Sequence, residues 1–66
     1  MASNTRGKLK ENFEGVHRNF DWVIYHCNKS LAIIAEHKPE LSNAIIRLTE
    51  AVKTLDGLAE GIYKRL

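Results

Sequence analysis

The chain has a single cysteine, a single proline, and no long hydrophobic run. One thiol excludes an internal disulfide. The three histidines stand nine and eleven residues apart, which is not the i, i+4 spacing of a helical zinc pair. The reading is therefore no metal and no cofactor. A membrane span needs about 18 or more apolar residues in succession, and none occurs. Met1-Ala2-Ser3-Asn4-Thr5 has no hydrophobic signal core. Together with the lone thiol, this makes a reduced, cytoplasmic compartment the simplest expectation. Net charge is +2, too small an excess for a dedicated nucleic-acid binder. No phosphate-binding glycine loop, dinucleotide fingerprint or nucleophile elbow is present. His26 and Cys27 are adjacent, so they point about 100° apart on a helix and cannot act as a nucleophile–base pair. The expectation is no catalysis and no catalytic residue.

What the chain does have is helical rhythm. Leu9, Phe13, Val16, Phe20, Val23, Cys27, Ser30 and Ile34 follow one another at alternating spacings of four and three. That is a heptad seam. The rhythm resumes after Pro39 with Leu41, Ile45, Leu48, Val52, Leu55, Ala59, Ile62 and Leu66. A second seam overlaps it at Leu41, Ala44, Leu48, Ala51, Leu55, Leu58 and Ile62. Ile24, Leu31 and Ile33 widen the first helix in the same way. A narrow stripe suits one neighbour, whereas a broad one suits two.

Pro39 lacks an N–H and disfavours helical geometry at Lys38, so it separates the two rhythms and opens the second. The spacing predicts a flexible arm over residues 1–6, a helix over about 8–37, a turn at about 37–39 and a helix over about 39–65. Each helix runs about 27 residues, or roughly 40 Å. Folded back, residues whose numbers sum to about 76 lie at one level. The fold class is all-α: an antiparallel hairpin of two long helices, one domain over 1–66. A chain of 66 residues buries only about 60% of the surface its unfolded form exposes. With no disulfide or metal, a second copy is the remaining source of core, giving a homodimeric four-helix bundle.

Four residues stand out as a partner-binding group. Trp22 and Tyr25 lie off the seam, three residues apart, with Arg18 and Lys29 flanking them. Trp, Tyr and Arg are the types most enriched at binding hot spots. Trp22 is expected to be covered by a second molecule, its own copy or a foreign protein. Arg6, Lys8, Lys10, Lys64 and Arg65 gather at the end opposite the turn. Arg6, Lys8 and Lys10 oppose the helix dipole there, so they form an alternative surface for nucleic-acid phosphates. Gly15, Gly57 and Gly61 lie within helices, where they suggest a depression near the open end. The expected function is that of a small self-associating regulator or inhibitor, acting on a protein target through helix faces and without contact with a membrane.

Overall fold

A computed structural model describes residues 2–34 and 37–66, with side-chain environments from Asn4 onward. Helix α1 spans Ala2–Ile34 and helix α2 spans Pro39–Lys64, and the two pack against each other as an antiparallel hairpin. The described residues contain no strand. No helix is long and apolar enough to cross a membrane.

The turn follows from Pro39. Lys38 adopts φ −145° and ψ 87°, the extended region that a following proline imposes. Pro39 takes the first helical position and Glu40 follows it in the first turn, where a negative charge suits the helix dipole. Lys38 offers no side-chain cap, but its carbonyl accepts from the N–H of Leu41 and of Ser42, both at 3.1 Å. On the other side, the N–H groups of His37 and Lys38 return to the carbonyl of Ile34 at 2.9 and 3.3 Å. Residues 35 and 36, inside the expected first helix, lie outside the described residues.

The start of α1 departs from expectation. Residues from Ala2 onward are helical, so residues 2–6 of the segment read as an arm belong to the helix, and residue 1 lies outside the described residues. The arm was inferred from the apolar seam beginning at Leu9. A helix already nucleated downstream extends through added residues without a second nucleation cost, here across Gly7 at about 1 kcal/mol relative to Ala. As a result α1 outruns α2, and the molecule is a rod with extents of 55 × 15 × 11 Å.

The seam of α1 follows the expected one at Phe13, Val16, Phe20, Cys27 and Ile34, but Lys10, Ile24 and Leu31 take the places of Leu9, Val23 and Ser30. Ile24, Cys27, Leu31 and Ile34 are buried or half-buried, while Val23 and Ser30 are exposed. Ser30 donates its hydroxyl to the carbonyl of His26 at 2.9 Å, the local bond that makes a serine tolerable within a helix.

The seam of α2 keeps Ile45, Val52, Ala59 and Leu66 of the first expected row but not Leu41, Leu48, Leu55 and Ile62. Ser42, Ile45, Thr49, Val52, Asp56, Ala59, Tyr63 and Leu66 are buried or half-buried. Half of this row is polar. Thr49 is buried and satisfies its hydroxyl on the carbonyl of Ile45 at 3.0 Å. The aliphatic row Leu41, Leu48, Leu55 and Ile62 remains 45, 52, 50 and 46% exposed. At about 100° per residue this row and its companions Ala44, Ala51 and Leu58 lie roughly a quarter-turn from the direction of α1. The apolar arc of α2 is thus centred away from its only neighbour. Both helices are right-handed and run in opposite directions, which places Val16 and Val23 of α1 on the same side as this row. The opposite side is mainly polar, with Ile46 also exposed there.

Candidate functional site

Three surface features could carry function, each built by a different part of the hairpin. The first is aromatic. One turn of α1 brings Trp22, Tyr25 and His26 together. The Trp22 and Tyr25 rings meet edge-to-face at 5.5 Å, and Trp22 stacks on His26 at 5.5 Å. Tyr25 and His26 are 5.4 Å apart, and the Lys29 ammonium sits 5.2 Å from the centre of the Tyr25 ring. On the other flank, Arg18 and Asp21 join Trp22 and Tyr25 around a shallow depression. Trp22 is 59% exposed, so this contact within α1 covers less than half of it. The structure brings together all four residues selected from the sequence: Arg18, Trp22, Tyr25 and Lys29. His26 completes the cluster. The i, i+4 spacing from Trp22 to His26 could have revealed it.

The second feature is a polar strap across the hairpin. The Nδ1–H of His17 donates to both carboxylate oxygens of Asp56 at 2.9 Å. The Nε2 of the same ring lies 3.4 Å from Asp21, one turn along α1. The tyrosine hydroxyl of Tyr63 donates to Glu14 at 3.0 Å. These partners sum to 73 and 77, close to the expected register. The hydrogen bond from Asp56, then the charges of Asp21 and Asp56, raise the pKa of His17 above its ordinary 6.5. The bond to Glu14 likewise raises Tyr63 above 10. Phe13, Glu14, His17, Asp56, Ala59 and Tyr63 help line an open concavity of about 500 Å³ on this side.

His17, Asp21 and Asp56 also offer three donor atoms within 4.8 Å of one another, a set that could take a cation. Both ring nitrogens already face carboxylates, so a cation would have to replace the imidazole proton. This cluster was not identified from the sequence. Histidine pairs and carboxylate pairs were sought separately along the sequence, and a mixed triad spanning two helices satisfies neither pattern.

The third feature is the basic end. Arg6, Lys8, Lys64 and Arg65 are exposed and Lys10 is half-buried. Arg6 and Lys8 lie on the part of α1 that extends beyond the end of α2. Lys64 pairs with Glu60 at 3.2 Å. The glycines do not form a receiving depression. A methyl group placed at Gly57 or Gly61 would meet nothing within 4 Å, and at Gly15 only the Arg18 side chain at 3.7 Å.

No family model, no curated protein and no solved structure matches this chain.

Proposed function

We propose that the protein is a small, non-catalytic, self-associating regulator or inhibitor that acts by binding a protein target through α1. Two hairpins join into a four-helix bundle, and Arg18, Trp22, Tyr25 and Lys29 meet the target. The observation that supports this reading is the aromatic cluster. Trp22 is held by Tyr25 on one side and His26 on the other, yet most of its surface remains in water. Ordering an indole without burying it gains little, whereas a pre-ordered aromatic with flanking cations loses little further entropy on binding. The matching surface on the target is an apolar pocket rimmed by carboxylates.

The test is photo-crosslinking in the native cell from a benzophenone amino acid replacing Tyr25, alongside the same labelled chain carrying Trp22→Ala. One discrete protein adduct, lost with Trp22→Ala, supports the reading. Adducts formed only with the chain itself, or unchanged by Trp22→Ala, overturn it.

A second reading rests on the extension of α1. Arg6 and Lys8 project past the end of α2 and are exposed. Binding of DNA or RNA that weakens steeply between low and moderate salt would favour phosphate contacts over the protein target.

A further inference from the structure

We infer that the exposed aliphatic row of α2 binds the same row of a second copy, with the two α2 helices antiparallel about a two-fold axis near Ala51 and Val52. This rests on the self-association proposed above and specifies its surface, its direction and its register.

Surface area points the same way. A folded monomer of 7.5 kDa exposes about 4,250 Å² by the usual mass scaling. This chain exposes 5384 Å². The surplus is about 1,100 Å², against the roughly 800 Å² that each partner buries in a standard stable interface. The described residues include no large side chain that is fully buried. The buried apolar side chains are Cys27, Val52 and Ala59, all small or medium-sized. The larger aliphatic side chains of α2 lie outside that core.

The pattern of the row supplies the occupant. Leu41, Ala44, Leu48, Ala51, Leu55, Leu58 and Ile62 alternate spacings of three and four, so the row reads almost the same from either end. An antiparallel pair whose residue numbers sum to about 103 sets Leu41 beside Ile62 and Leu48 beside Leu55, each contact made twice. Ala44 comes within one residue of the level of Leu58, so a small side chain meets a large one. The Ala51 residues meet at the axis, where small side chains let helices approach to about 8 Å.

Two alternatives fit less well. If α2 lay across the α1 of the second copy, its leucines would face a flank carrying Asn12 and Asn19 and bury their amide groups. A parallel α2 pair would set Glu40 beside Glu40, Arg47 beside Arg47 and Arg65 beside Arg65. The antiparallel pair instead brings Glu40 of one copy within two residues of the level of Arg65 of the other. Trp22 lies on the outer face of α1 and is 59% exposed in the hairpin.

The test combines oligomeric state with one distance. Sedimentation equilibrium gives the state. A nitroxide at Glu40→Cys, in a Cys27→Ala background, gives the distance between copies. The antiparallel pair places the two labels roughly 35 Å apart, which is 23 residues at about 1.5 Å each. A dimer with this distance supports the inference. A dimer with labels about 15 Å apart overturns the direction and leaves self-association standing. A monomer at micromolar concentration overturns both. A charge swap gives an independent check. Leu48→Glu and Leu55→Lys chains should each be monomeric and helical alone, yet form a heterodimer when mixed. Failure to recombine while both retain helix content contradicts the register.

Discussion

The two long sides of the hairpin differ sharply. On one side the helices are tied within the chain: His17 reaches Asp56, and Tyr63 reaches Glu14. On the other, Leu41, Leu48, Leu55 and Ile62 lie about half in water with no tie across to α1. Side chains that need directional partners find them inside the chain, whereas those that need only burial are left without it. Burial is non-directional and scales with area, at about 25 cal/mol per Å². The uncovered side is therefore where a second molecule can contribute most free energy.

The largest effect is expected from placing charge in the aliphatic row. Leu48→Glu should weaken self-association at least 100-fold, about 2.7 kcal/mol, because the carboxylate must be desolvated opposite Leu55. Sedimentation read together with circular dichroism checks this, since helix content should remain while mass halves. The same substitution at Lys53, on the other side, should leave the mass unchanged.

Trp22→Ala sharpens the contrast between self-association and target binding. It should leave the dimer intact and reduce affinity for the crosslinked target by about 2 kcal/mol or more, the scale of a hot spot. Titration of wild-type and variant protein against that target measures both. Equal loss of both associations would place Trp22 in the dimer interface.

The hairpin was legible in the sequence because Pro39 and the heptad spacing are local signals. Turn, antiparallel direction and approximate register all follow from them. Ile45, Val52, Ala59 and Leu66 of the inner seam of α2 were legible, but Ser42, Thr49, Asp56 and Tyr63 were not, because they interrupt it with polar side chains. Sequence patterning ranks rows by apolarity, so it selected the Leu41–Ile62 row as part of the seam. The hairpin instead buries Thr49, whose hydroxyl donates to the carbonyl of Ile45, and half-buries Ser42, whose hydroxyl has no partner. The aromatic group on α1 was visible because its members lie within two turns. The His17–Asp56 contact was not, since it joins residues 39 apart in sequence. Applying the same level rule to charged residues would have brought these two within one turn.

Within the hairpin, Val52→Ala should cost about 1.5 kcal/mol by leaving a gap against α1. Thermal unfolding at fixed protein concentration measures it. The concentration must be fixed because dimerisation itself raises apparent stability.

The smallest effect concerns the strap. His17 is protonated more readily in the folded chain than in the unfolded one, because Asp56 and Asp21 hold its proton. Its contribution to stability is thus fully present below about pH 6.5 and is lost as pH rises through its elevated folded value. His17→Gln should remove this pH dependence and leave dimer mass unchanged. Proton NMR of the imidazole should show His17 titrating above 6.5, and a midpoint at or below that value would contradict the Asp56 bond.

Whether a second copy covers the aliphatic row of α2 is tested most directly by sedimentation equilibrium of the unmodified chain at micromolar concentration. The expected species has a mass of about 15 kDa, twice the 7.5 kDa chain, and falls to the chain mass with Leu48→Glu. A stable, helical 7.5 kDa monomer with Leu48 intact would contradict it.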